Sequence, residues 1–180
     1  MKGYLFLANG FEETEAISPL DLLRRAGADV KTVGIGGKKV VGSHDIEVVA
    51  DLDEKEISNF DVDFIILPGG MPGTLNLDAS DTVRRAIETA QKRGAYICAI
   101  CAAPAILLGK RGLLAGKKAT CYPGMESYFI SADAKTDKVV VDGNFITSRG
   151  LGTAVEFGLA IVGALYGDKK AAELRASVVA

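Results

Sequence analysis

The sequence predicts an α/β fold in which helices cover both faces of a mostly parallel β-sheet. Strand-like and helix-like segments alternate along the chain, which is typical of such sheets. Two continuous apolar runs, 64–67 and 95–100, are typical of strands buried on both faces. Two predicted helices are followed by a glycine that ends them, Gly27 and Gly94. Because the composition does not change abruptly over 180 residues, we expect one domain spanning residues 1–180.

The first half of the chain alternates between strands and helices, with one hairpin. The apolar segment at the start predicts a strand, and Gly36 and Gly37 are typical of the turn that leads into a hairpin. The predicted elements are a strand over 2–8, a helix over 13–25, a strand over 30–35, a hairpin of 39–41 with 46–49, a strand over 64–67 and a helix over 82–93.

The second half continues the alternation. The strand over 95–100 leads into Cys101, and Pro104 stands where the first turn of a short helix over 104–109 tolerates proline. The remaining predicted elements are a short strand near Ala119, a hairpin of 138–141 with 145–148, a long helix over 154–166 and a short helix after Gly167.

Composition excludes several classes of function. Lys and Arg total 21 against 23 Asp and Glu, with no basic stripe, so we expect no nucleic-acid partner. No apolar run is long enough to span a bilayer, and we expect no membrane association. Three cysteines are an odd and sparse set, which favours a reducing compartment, and we predict a cytoplasmic protein. No cofactor-binding motif is visible, and we expect no cofactor.

The turn after the 95–100 strand has the pattern of a nucleophile elbow. Cys101 is flanked at two positions on either side by the small residues Ala99 and Ala103, between a buried strand and the start of a helix. Such a turn forces its central residue into a strained, exposed position. We expect the helix N-terminus to stabilise a Cys101 thiolate and to lower the pKa of this thiol.

Other interpretations of the cysteines stay open at this point. Taken alone, Cys101 is also consistent with a small apolar side chain that is buried in the core and has no reactive role. Cys98 and Cys101 form a CxxC, but their spacing along a strand places them on opposite faces and disfavours a disulfide. The case for a zinc site is weaker still than that for a disulfide, because His44 is the only histidine. Cys121, at a predicted strand end, favours packing over catalysis, and the 125–129 segment favours core or interface over a binding pocket.

Two loops follow strands whose carboxyl ends meet at one edge of a parallel sheet, where ligands bind in such folds. In the 68–73 loop, Gly69 and Gly70 allow backbone N–H groups to approach a ligand, and together with Ala102 they predict an oxyanion site. An ordinary glycine turn is the alternative. The 9–15 loop contains three glutamates. They are consistent with acidic residues at a helix N-terminus, where the helix dipole favours negative charge, or with a residue that carries protons in catalysis. The local sequence favours the first of these roles.

Four stretches in this order and spacing resemble the DJ-1/ThiJ/PfpI superfamily, on its DJ-1-like branch. They are EETE at 12–15, LPGG at 67–70, AICAAP at 99–104 and TSRGLGT at 147–153. The resemblance implies a flavodoxin-like three-layer sandwich, related to class I glutamine amidotransferases, and a homodimer. It assigns Cys101 and Glu15 as the catalytic pair, which requires a largely protonated carboxyl beside a thiolate. Backbone N–H groups at Gly70 and Ala102 would face the site.

The chain departs from the family pattern at three places. Ala102 replaces the histidine that follows the cysteine in protease branches, which disfavours a cysteine peptidase. Tyr122 stands where DJ-1-like relatives often carry a histidine. Arg25 matches an arginine linked to the dimer interface and to anion binding, but His44 replaces its partner. Tyr122 and Arg25 are therefore candidates for the periphery of the site.

The resemblance implies a cysteine-dependent enzyme, a glutathione-independent glyoxalase or deglycase. Its substrates would be methylglyoxal, glyoxal or their early protein adducts. An oxidation sensor or redox-regulated chaperone that uses Cys101 is the alternative, with an oxidant as its small-molecule partner. A non-catalytic scaffold, with a thiol of ordinary reactivity, is a third hypothesis.

Overall fold

A seven-stranded sheet forms the centre of the computed structural model, which describes residues 1–180. The eleven strands of the chain are β1 Lys2–Leu7, β2 Asp29–Gly34, β3 Lys39–Val41, β4 Glu47–Val49, β5 Leu52–Asp53, β6 Phe64–Leu67, β7 Tyr96–Ile100, β8 Lys118–Ala119, β9 Asp133–Ala134, β10 Val139–Asp142 and β11 Phe145–Ser148. The order in the sheet is β10-β11-β7-β6-β1-β2-β5, and only β10 pairs antiparallel to its neighbour. The predicted mostly parallel sheet is confirmed.

Helices lie on both faces of this sheet. They are α1 Glu13–Arg25, α2 Gly73–Ala79, α3 Asp81–Arg93, α4 Ala154–Tyr166 and α5 Asp168–Ser177. Alternate side chains of the central strands point to opposite faces, so that Ile66 packs in the cluster that contains α1 and α4, whereas Ile65 packs in the cluster that contains α3. All four side chains of β6 are fully buried. The result is a three-layer sandwich of the flavodoxin type, as predicted.

The sequence and the structure differ mainly in short elements. The segment after Cys101 is not an ordinary helix over 104–109 but a π-helical turn, Pro104–Leu108, followed by a 3₁₀ turn, Gly109–Arg111. Helix α2 was not predicted, because its Gly, Thr and Asn are poor helix formers; burial of Thr74 and Leu77 stabilises it. The two-residue strands β5 and β9 are too short to show periodicity.

None of the helices combines the length and the apolar composition needed to cross a membrane.

Candidate active site

Cys101 occupies a strained turn at the carboxyl end of the central strand β7. Its φ is 66°, in the left-handed region that residues other than glycine rarely adopt. Two backbone hydrogen bonds hold this conformation: the Cys101 N–H donates to the Ser148 carbonyl at 3.0 Å, and the Tyr122 N–H donates to the Cys101 carbonyl at 2.8 Å. Ala102 and Ala103 after it are almost completely buried. The geometry is that of the predicted elbow.

Glu15 reaches Cys101 from the first turn of α1. The turn begins at Glu12, whose Oε2 accepts the Glu15 N–H at 2.7 Å and caps the helix. Only 1% of the surface of Glu15 is exposed. Its Oε2 accepts the Gly69 N–H at 3.0 Å, and its carboxyl lies beside the Cys101 thiol. The structure thus places the predicted pair side by side, although they are 86 positions apart in sequence.

The two glycines after β6 form the third wall of the site. Gly69 fits between the pair: a Cβ at this position would lie 2.5 Å from both the Cys101 Cβ and the Glu15 Oε2. Gly70 has a φ of 89°, which glycine adopts without strain. The N–H groups of Gly70 and Ala102 lie near the Cys101 thiol and act to lower its pKa. Of the three predicted oxyanion donors, Gly69 is the exception, since its N–H is used by Glu15.

Replacing Gly69 with alanine is expected to lower the free energy of unfolding by about 1–3 kcal/mol, because the added methyl overpacks the space between Cys101 and Glu15. Urea denaturation measures the change. Gly152→Ala is the matched control, since its Cβ would meet nothing within 4 Å, and it should change the free energy of unfolding by less than about 0.5 kcal/mol. Equal stability of the two variants would contradict this account of Gly69.

Burial dominates the electrostatics of the pair. Burial raises the pKa of Glu15 to about 7, in the predicted direction, and the Glu12 charge adds to the effect. Burial and then the Glu15 charge also raise the pKa of the Cys101 thiol, while the Gly70 and Ala102 N–H groups act against them. The prediction of a lowered thiol pKa is therefore wrong in its net direction, because burial and the Glu15 charge outweigh the N–H groups at the start of the following turn. Each charge opposes the other, so the pair carries at most one negative charge near neutral pH.

A cavity of about 390 Å³ opens above Cys101. Its lining residues are mostly apolar or small: Gly70, Met71, Cys101, Ala102, Tyr122, Pro123, Gly124 and Met125. Tyr122, a candidate for the periphery of the site, is one of these lining residues. Met125 was predicted to be core or interface and instead lines the cavity, because the 3₁₀ turn Glu126–Tyr128 gives the segment no regular helical face.

Arg25 lies away from this cavity. It is ten residues after Glu15 on the same helix, about 15 Å along the axis. Its guanidinium pairs with Asp21 at 2.7 Å on the exposed surface. The prediction that Arg25 belongs to the periphery of the site is therefore wrong for this chain.

The remaining candidates are also outside the site. His44 donates its backbone N–H to Glu13 at 2.8 Å, and its imidazole Nδ1 lies 3.1 Å from the other oxygen of that carboxyl. With Glu12, these two residues bring three potential metal-binding atoms within 4.8 Å of one another, a proximity that sequence spacing did not reveal. Cys98 and Cys121 are buried free cysteines. Neither lines the cavity.

Comparison with known proteins agrees with this geometry. The model of the DJ-1/PfpI family matches residues 1–164, nearly the whole chain. The chain belongs to the DJ-1/PfpI family. The chain is similar to proteins of the DJ-1-like branch, as the four sequence stretches implied.

Curated DJ-1 relatives align with almost all of this chain. It is 40% identical over 175 residues to dj-1beta of Drosophila melanogaster, covering 94% of the chain and 92% of the relative. It is also 40% identical over 175 residues to DJ-1 homolog B of Arabidopsis thaliana, covering 96% of the chain but 40% of that longer relative. A 36% identical relative from Caenorhabditis elegans, matched over 161 residues, is named a glutathione-independent glyoxalase; the match covers 88% of the chain and 85% of the relative.

Solved DJ-1 structures share the fold closely. A mutant of a DJ-1 superfamily protein from Salmonella typhimurium superposes with a TM-score of 0.94 at 36% identity, covering 99% of this chain and 97% of that one. Oxidized DJ-1 of Toxoplasma gondii gives a TM-score of 0.95 at 35% identity, with the same coverage.

Proposed function

We propose that the protein is a glutathione-independent glyoxalase or deglycase that converts methylglyoxal-type aldehydes, or their early protein adducts, into 2-hydroxy acids. The observation that carries this proposal is the buried Glu15 carboxyl beside the Cys101 thiol, which lines a small cavity. The pair provides a nucleophile and a proton carrier in contact with each other, which this isomerisation needs. The name of the Caenorhabditis elegans relative supports it.

The first step is attack of the Cys101 sulfur on the aldehyde carbon. Above pH 7 Glu15 is a carboxylate, because its pKa is about 7, and it accepts the thiol proton as the carbon–sulfur bond forms. The N–H groups of Gly70 and Ala102 stabilise the negative charge that develops on sulfur. Glu15 then passes the proton to the former aldehyde oxygen, which completes a hemithioacetal and restores the carboxylate.

The second step moves a hydrogen between neighbouring carbons. Glu15 removes the C1 hydrogen of the hemithioacetal as a proton, which leaves an enediolate; this proton then adds to C2, while the C1 hydroxyl proton moves to the C2 oxygen. The product is a thioester of Cys101 with a 2-hydroxy acid. Water cleaves this thioester and regenerates the thiol, so that one aldehyde and one water give one 2-hydroxy acid. Methylglyoxal gives lactate.

Adducts on proteins can also approach the site. Two of the residues that line the cavity are well exposed, Tyr122 at 52% and Met71 at 48%, so that solvent reaches the cavity. An adduct at the tip of a lysine or arginine side chain could therefore present its carbon to Cys101, which is the requirement for a deglycase.

The proposed activity is tested by incubating the purified protein with methylglyoxal and following lactate over time. We expect steady formation of lactate without added glutathione. The Cys101→Ser variant is the control. Turnover no faster than that of this variant would contradict the proposal.

A second candidate function is oxidation sensing through Cys101. Cys101 is half-buried, whereas Cys98 and Cys121 are fully buried, so that peroxide reaches only one of the three thiols easily. Reaction with peroxide would give a sulfenic acid and water, and a second peroxide would give a sulfinic acid. Hydrogen bonds from Gly70, Ala102 and protonated Glu15 would stabilise the added oxygens.

Mild peroxide treatment is expected to add two oxygens to Cys101 while leaving Cys98 and Cys121 at least about tenfold less modified, because the latter two are buried. Peptide mass spectrometry measures the occupancy at each cysteine. Equal oxidation of the three cysteines would count against a sensor.

A further inference from the structure

The cavity at Cys101 is lined mostly by apolar side chains. These side chains, which form its apolar wall, are Met71, Tyr122, Pro123 and Met125. Methionine side chains adapt to the shape of an apolar ligand, and an aromatic ring provides a flat apolar surface. A substrate whose aldehyde carbon contacts Cys101 must direct its other substituent towards this wall or towards solvent.

Tyr122 is held at a fixed position beside the reacting atoms. Its backbone N–H donates to the Cys101 carbonyl at 2.8 Å, which ties the residue to the elbow itself. The ring edge and the carboxyl of Glu15 face the same gap at Gly150: a Cβ there would lie 3.6 Å from the Tyr122 Cδ2 and 3.7 Å from the Glu15 Oε1. The substituent of a substrate that reacts with Cys101 and Glu15 therefore has the Tyr122 ring within reach.

No positive charge lines the cavity. The guanidinium of Arg149 donates to the Thr136 carbonyl at 3.0 Å, and Arg25 pairs with Asp21 on the far part of α1. The pair of Glu15 and Cys101 itself carries negative charge. A carboxylate or phosphate on the substrate would thus lose water without gaining a partner, and it would be repelled by the pair.

We propose that Tyr122 is a specificity-determining residue that contacts the substituent of the substrate and selects uncharged 2-oxoaldehydes with an apolar, preferably aromatic, substituent. The inference rests on the proposed glyoxalase function and names the substrate class of that site. Phenylglyoxal is then a better substrate than glyoxal, which has no substituent to contact the ring. Its 4-carboxy derivative is a poor substrate.

The test compares kcat/KM for phenylglyoxal, 4-carboxyphenylglyoxal and glyoxal, by following mandelate, 4-carboxymandelate and glycolate. For the wild-type protein, the carboxylate should lower kcat/KM at least about tenfold relative to phenylglyoxal. Tyr122→Ala should lower the ratio of phenylglyoxal to glyoxal kcat/KM about 3- to 10-fold, the size of an aromatic contact. Tyr122→Phe, which keeps the ring, should keep this ratio within about twofold.

Tyr128→Ala is the matched control, because Tyr128 is a tyrosine of similar exposure, 45%, outside the cavity. It should keep the wild-type ratio. An unchanged ratio in Tyr122→Ala, or equal use of the carboxylated aldehyde, would overturn the inference while leaving the glyoxalase function intact.

Failure of the proposed function gives a different result, since the wild-type protein would then turn over none of the three aldehydes. In that case, reversible protection of Cys101 from iodoacetamide decides the inference, because hemithioacetal formation needs no turnover. Phenylglyoxal should protect at lower concentrations than glyoxal, and Tyr122→Ala should remove the difference. Protection of the wild-type protein by phenylglyoxal and glyoxal at equal concentrations would overturn the inference.

Discussion

Replacing Cys101 with serine is expected to lower kcat/KM for methylglyoxal about a thousandfold or more. The serine hydroxyl fits the same turn, but it is a far weaker acid than a thiol. A Glu15 carboxylate with a pKa of about 7 is too weak a base to activate it. Initial rates of lactate formation measure the effect, and urea denaturation checks that the variant is folded.

The other two cysteines provide the matched controls. Cys98 and Cys121 are buried and lie outside the cavity. Each alanine variant should keep kcat/KM within about threefold of the wild-type value, because neither thiol touches the site. A loss in Cys121→Ala as large as that in Cys101→Ser would refute the assignment of Cys101 as the single nucleophile.

Replacing Glu15 with glutamine is expected to lower kcat/KM for methylglyoxal about 10²- to 10⁴-fold, the usual contribution of a general acid–base residue. Glutamine has the same shape, and its amide oxygen can accept the Gly69 N–H that Glu15 accepts now. An amide, however, cannot take the proton of the Cys101 thiol or of C1. Steady-state rates over a range of methylglyoxal concentrations measure the loss.

Glu13 provides the control for this substitution, because it is also a buried glutamate of α1 but hydrogen-bonds to His44 instead of Cys101. Glu13→Gln should keep kcat/KM within about threefold. If Glu15→Gln retained wild-type activity, the carboxyl would have no role in proton transfer.

The elbow was predictable from local sequence because its determinants are adjacent. Small residues around Cys101, a buried apolar strand before it and Pro104 after it all lie within ten residues. Glu15 was not predictable on these grounds. Its contact with Cys101 depends on β1 and β7 lying on either side of β6, a property of the whole sheet order. Only the match of distant stretches to the family identified it.

Other features of the site depend on tertiary structure that periodicity does not encode. The need for glycine at Gly69 comes from two side chains supplied by other elements. The direction of the Cys101 pKa shift depends on burial and on the Glu15 charge, and these outweigh the local helix end. Met125 lines the cavity because its segment is not a regular helix. The homodimer, the single domain and the cytoplasmic location stay predictions.

The central claim is that Glu15 and Cys101 act as one unit that accepts and returns a proton. The pH dependence of kcat/KM for methylglyoxal tests it most directly, because this quantity reports the ionisation of the free enzyme. Glu15 must be ionised to accept the thiol proton, and the ionised fraction falls as the pH drops through its pKa of about 7. In the wild-type protein, kcat/KM should therefore rise about tenfold per pH unit below pH 7 and level off above it. The residual activity of Glu15→Gln should lack this step. A flat wild-type profile, or the same step near pH 7 in both proteins, would contradict the claim.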